Sequence, residues 1–78
     1  MPARVSLITR EGCHLCADAR AVVTSVCADA GVEWREVDVE ANARLLERYG
    51  EEVPVVIVDD QVVGFWTIDP DRLRSALA

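Results

Sequence analysis

The chain alternates short, nearly continuous apolar runs with longer stretches in which apolar residues recur every three or four positions. Arg4 to Thr9 is of the first kind and reads as a strand covered on both faces. From about Cys13 to Ala30 the period becomes helical, with Leu15, Ala19, Val22, Val23, Val26 and Cys27 on one stripe. Leu15 is expected to anchor the start of this helix in the core. Gly31 then supplies a C′ position able to take positive φ. Val32 to Val37 reads as a second strand, with Trp34 alternating with Val32 on the core side. Strand, helix and strand with short joints favour a parallel βαβ unit.

The second half changes rhythm more often. A helix is expected from about Glu40 to Tyr49, with Asp38 or Val39 near its start, Gly50 stopping it, and Ala41, Leu45, Leu46 and Tyr49 as its stripe. Val53 to Val58 reads as a third strand, Asp59-Asp60-Gln61 as a turn, and Val62 to Trp66 as a fourth strand completing a hairpin. Asp69 at N-cap and Pro70 at N1 open a last helix that buries Leu73, Ala76 and Leu77. The order is βαβαββα, without repeat, linker or low-complexity segment.

Length and charge narrow the use of such a fold. At 78 residues the chain has room for one domain, residues 1–78, with a modest core. A composition 51% hydrophobic and 28% charged is globular rather than disordered. The net charge of −6 argues against nucleic acid, whose phosphates demand a basic surface, and against an anionic membrane. No apolar run approaches the length of a membrane span, and the first strand is too short to be a signal peptide's apolar region. With an odd count of three cysteines, these features set the expectation of a cytoplasmic protein, where a CxxC more often serves redox or metal chemistry than a structural staple.

The candidate chemistry lies in Thr9-Arg10-Glu11-Gly12-Cys13-His14-Leu15-Cys16, at the junction between the first strand and the first helix. Unpaired backbone N–H groups and the positive end of the helix dipole stabilise a thiolate there. Cys13, nearest the helix terminus, is the candidate nucleophile. Cys16, one turn further in and more covered, is the candidate resolving thiol. Such a pair can close a disulfide and be reopened by another thiol. Half of a zinc site is the alternative, but tetrahedral zinc needs four ligands, and Cys27 lies about three turns along the helix from Cys13. A c-type haem would need histidine after the second cysteine, where Ala17 stands. His14 either modulates the thiols as an imidazolium or is an exposed filler. Cys27 falls on the apolar stripe and reads as a small buried hydrophobe ahead of a third redox thiol. Arg10 can attract a carboxylate or help hold the thiolate; otherwise it is a surface charge. Phe65 and Trp66 can line a substrate groove or pack at the sheet edge.

With these elements in place, the sequence resembles the short glutaredoxin-like proteins of the thioredoxin superfamily over nearly its whole length. The resemblance rests on the run from Thr9 to Cys16, on Glu36-Val37-Asp38-Val39-Glu40, and on Tyr49-Gly50-Glu51-Glu52-Val53-Pro54-Val55-Val56-Ile57-Val58. It implies an α/β, thioredoxin-like (glutaredoxin-type) fold: a four-stranded mixed sheet with helices on both faces. It also implies dithiol–disulfide exchange through Cys13 and Cys16, with no cofactor and no metal, in a monomer. A cis Val53-Pro54 bond would lie against the CxxC, with Val53 pairing with the substrate backbone. Glutaredoxins that bind glutathione tightly usually carry a Gly-Gly pair and an acidic residue after the fourth strand. Gly64 fits the first glycine, but Phe65-Trp66-Thr67-Ile68 follows. Two aromatics there restrict close backbone approach and remove a cap for the tripeptide's amino group. The expected partners are therefore a disulfide-containing protein or a small thiol, with a thioredoxin reductase or another reductant restoring the dithiol. Two other readings remain: a metal- or iron-sulfur-cluster-binding module using Cys13 at a dimer interface, and a redox-inert adaptor.

Overall fold

Strand β1 (Val5–Thr9) is central to the sheet, and its near-continuous apolar run follows from that position. A computed structural model describes residues 3–78. In it β1 pairs in parallel with β2 (Trp34–Asp38) and antiparallel with β3 (Val55–Val58), which pairs antiparallel with β4 (Gln61–Phe65). The order β2-β1-β3-β4 is the mixed, four-stranded sheet expected from the sequence.

The strand pleat sorts the core into two layers. Val5 and Leu7 of β1 and Val56 and Val58 of β3 point to the face covered by α1 (His14–Ala30) and α3 (Pro70–Leu77), where Ala19, Val23, Val26, Cys27 and Leu73 pack on them. Ile8 and Val55 point to the other face and meet Val39, from a short 3-10 turn (Val39–Ala41), and Tyr49, from α2 (Ala43–Tyr49). Helices therefore cover both faces.

Local signals explain most of the boundaries. Gly31, at φ 68°, ends α1 with its N–H on the Ala28 carbonyl and that of Val32 on the Cys27 carbonyl, a paired closure that satisfies two orphan carbonyls. The hairpin turn holds Asp59 and Asp60 at φ 49° and 68°, the backbone that matches strand twist in a two-residue turn. Arg4 braces it with a forked pair to Asp59 at 3.0 and 2.7 Å. Asp69 caps α3 by accepting from the Asp71 N–H, and Pro70 stands first in the helix.

Several expectations need correction. Asp38 does not open a helix running from Glu40 to Tyr49; it caps only the 3-10 turn, and Asn42 breaks the helix and caps α2 through the Leu45 N–H. Leu46 and Ala41 are exposed, leaving Leu45 and Tyr49 as the helix's inward contacts. Leu15 is no core anchor either. It lies 43% exposed at the start of α1, because the inward face of that turn belongs to Cys16 and Ala19.

Candidate active site

The turn Arg10-Glu11-Gly12-Cys13 carries the chain from β1 into α1. It closes with the Cys13 N–H on the Arg10 carbonyl at 3.3 Å, and Gly12 takes φ 78°, a conformation that a side chain disfavours. Cys13 is thereby left in extended backbone as the N-cap of α1. Its sulfur does what a capping oxygen does elsewhere, accepting the Cys16 backbone N–H at 3.2 Å. Cys13 is partly exposed, whereas Cys16 is 1% exposed and Cys27 is sealed in the core; all three are free thiols.

Burial first, and then hydrogen bonding to Cys13, pushes the Cys16 thiol up to about 11; the Arg10 backbone and the positive charge of Arg20 act in the opposite direction. Burial alone raises Cys27. His14 is the first residue of α1 and is exposed.

Strand register brings the other candidates to this end of the sheet. Val55 lies opposite Ile8, so Val53 and Pro54 enter β3 beside the exit of β1. The Val53-Pro54 bond is cis and Pro54 is fully buried. Phe65 lies opposite Val55, and the Trp66 N–H donates to the Pro54 carbonyl at 2.9 Å. Trp66 has left β4 and stands at φ 62°, its indole N–H donating to the Glu51 carbonyl at 3.2 Å. Its ring meets that of Phe65 edge to face, with centres 5.2 Å apart. Both rings are about half exposed, and Trp66 lines an apolar cleft of about 200 Å³ with Leu15, Ala19, Val22 and Ile68. Gly64 is paired with Val56 within β4, next to a bulge, and faces a separate recess towards Asp69 and Arg72.

Arg10 lies on the β2 side instead, in a polar recess of about 410 Å³ shared with Thr9, Glu11, Arg20, Glu36 and Asp38. Sequence reasoning missed the centre of that recess. Arg20 and Glu36 form a forked ion pair, 2.7 Å at each oxygen, and Thr9 donates its hydroxyl to the same carboxylate at 2.9 Å. A helical residue four positions after Cys16 is the available signal for Arg20; Glu36 stands in the run that carries the resemblance, but nothing local pairs it with Arg20. Among the described residues, no group of three or more His, Cys, Asp or Glu side chains is placed to hold a metal ion, and no helix is long and apolar enough to cross a membrane.

Comparison with known proteins places this geometry among relatives. A family model described as "Glutaredoxin-like domain (DUF836)" matches residues 4–78. A solved protein, XcR50 from X. campestris, is 30% identical, covering 94% of this chain and 93% of its own, with a TM-score of 0.75. A Nitrosomonas europaea protein, Ne2328, is 25% identical over 100% of this chain and 94% of its own, at TM-score 0.82. Reduced Escherichia coli glutaredoxin, 24% identical over 80% of this chain and 82% of its own, shares the fold at TM-score 0.61.

Proposed function

Since the chain belongs to the glutaredoxin-like domain family, of thioredoxin-like fold, we propose that it is a thiol–disulfide oxidoreductase working through Cys13 and Cys16. Cys13, as thiolate, attacks one sulfur of a substrate disulfide, and the other sulfur leaves as a thiolate. Cys16 then attacks the Cys13 sulfur, closing Cys13–Cys16 and releasing the second substrate thiol. The observation that carries this reading is the Cys13 sulfur at the helix cap, accepting the Cys16 N–H, with Cys16 buried one turn inside. An attacking group must be accessible and stabilised as an anion, and a resolving group must be near and shielded. The two cysteines divide those requirements between them.

The substrate is a protein or small-molecule disulfide, reached over the exposed face made by Leu15, Phe65 and Trp66. The chain works as a monomer, residues 1–78 forming one domain, in a reducing compartment such as the cytoplasm. Glutathione is a poor reductant for it, because the half-exposed rings of Phe65 and Trp66 stand where a bound tripeptide would need open backbone. A thioredoxin reductase or another dithiol restores the pair.

The test is trapping. Reduced protein is mixed with a disulfide-bearing peptide, and the products are separated without reducing agent. Cys16→Ser should accumulate a covalent adduct through Cys13, the unmodified protein should pass through it, and Cys13→Ser should form none. An adduct that forms equally well without Cys13 would remove the assignment.

A further inference from the structure

The recess on the β2 side holds a fixed cation that the two-cysteine mechanism leaves unused. Arg20 follows Cys16 by one helical turn, so both side chains leave the same face of α1. Its guanidinium is gripped at Nε and Nη2 by the Glu36 carboxylate, and Glu36 Oε2 also accepts the hydroxyl of Thr9, itself 5% exposed. One carboxylate thus ties α1, the end of β1 and β2 together beneath the CxxC loop. The side chains of Arg20 and Glu36 are 46% and 34% exposed, and an ion pair this open contributes little to stability. What a forked pair does well is hold a charge in one place.

We propose that Arg20 is a positioning residue for the resolving step: Glu36 and Thr9 hold its guanidinium so that a fixed positive charge acts on the Cys16 sulfur as it becomes the attacking thiolate. The proposal rests on the dithiol reading above. In that step Cys16 gives its proton to water and its sulfur attacks the Cys13 sulfur of the mixed disulfide. The Cys13–Cys16 bond forms and the bond from Cys13 to substrate breaks. The electron pair leaves on the substrate sulfur, which then takes a proton. The cysteine pair loses two electrons and the substrate disulfide gains them.

Resolution is the step that needs help, because burial opposes the charged form of Cys16. The positive charge of Arg20 acts on the Cys16 thiol in the favourable sense. The other charged groups at this corner are Arg10 and Glu11 from the loop, Glu36 and Asp38 from β2, and, when protonated, His14 at the start of α1. Of these, Glu36 is the one bonded to Arg20, and its negative charge masks the cation while fixing it.

That double role gives a test in which electrostatics and scaffolding predict different signs. The full chain is reacted with a chromophoric aromatic disulfide, and the second thiolate released, the one expelled by Cys16, is timed by stopped flow from neutral to alkaline pH. Arg20→Gln should move the pH profile upward and slow resolution at neutral pH. Each pKa unit removes tenfold of thiolate, and higher nucleophilicity returns about half of that on a logarithmic scale, leaving about a threefold loss per unit. Glu36→Gln keeps an amide oxygen to accept from the guanidinium while removing the masking charge, so it should move the profile downward and speed resolution. Arg20→Lys, which keeps the charge but not the fork, should fall between the unmodified protein and Arg20→Gln. Both displacements should shrink in high salt. Displacement of Arg20→Gln and Glu36→Gln in the same direction, or of neither, would overturn the proposal. Should Arg20→Gln not fold, the direction of the Glu36→Gln displacement alone decides. Failure of the dithiol reading looks different: the unmodified protein would release one thiolate and never the second.

Discussion

The Cys13 sulfur accepts the backbone N–H of Cys16 at 3.2 Å, so the two thiols share one helical turn but not one environment. The first caps the helix and meets solvent; the second is 1% exposed, with its thiol pushed up to about 11. Alkylation of the reduced protein near neutral pH should therefore label Cys13 well before Cys16 or Cys27. Labelling of Cys16 should accelerate as pH climbs towards 11. Mass spectrometry of the modified peptides gives the order, and early labelling of Cys16 or Cys27 would reverse the roles.

The same burial makes stability depend on pH at the alkaline end. Burial pushes the folded Cys16 thiol up to about 11 from its ordinary value of 9.0, so between those values the unfolded chain binds fewer protons than the folded one. Its contribution is fully present below the unfolded value and is lost as pH rises through the folded one. Cys27, also raised by burial, adds to the loss. Urea midpoints of the reduced protein should fall over this window. Cys16→Ser should flatten the fall, and an equally steep fall in that variant would point to other groups.

Cys27 lies in the larger core cluster with Val5, Val23 and Val26, about three turns along α1 from Cys13. Cys27→Ala should cost on the order of 1 kcal/mol in denaturant unfolding, from the small cavity it leaves, while turnover stays intact. Lost turnover at unchanged stability would make Cys27 a working thiol.

Trp66 combines a left-handed backbone with an anchored ring, and the function proposed above has these rings exclude glutathione. Reduction of the oxidised protein by glutathione should be slow beside reduction by a dithiol. Replacing Phe65 by Gly and Trp66 by Asp, a residue that tolerates positive φ, should raise the glutathione rate if those rings are the obstacle. Fast reduction of the unmodified protein by glutathione would refute this account of the loop.

Strands and helices were readable because each signal was local. The near-continuous apolar run of β1 marks a strand covered on both faces, Gly31 and Asp69 mark helix ends, and the CxxC stands in a single octapeptide. Periodicity makes the second helix too long because Asp38 and Asn42 are both good caps, and only the fold decides that each starts its own turn. Leu15 falls on the predicted core stripe because periodicity assigns a stripe without saying what covers its first turn. Arg20 and Glu36 are separated by 16 positions, and Thr9 and Glu36 by 27, so their union exists only once β1, β2 and α1 are assembled. The Trp66 indole reaching the Glu51 carbonyl belongs to the same class.

Equilibrium redox titration tests the central claim most directly. The protein is equilibrated across dithiol–disulfide buffers of graded potential, quenched with acid, and its free thiols are counted. The account predicts one two-electron transition in which two thiols appear on reduction, mapped to Cys13 and Cys16, with Cys27 a free thiol throughout. A chain that keeps three free thiols under every oxidising buffer, or that pairs Cys27 with either partner, would contradict it.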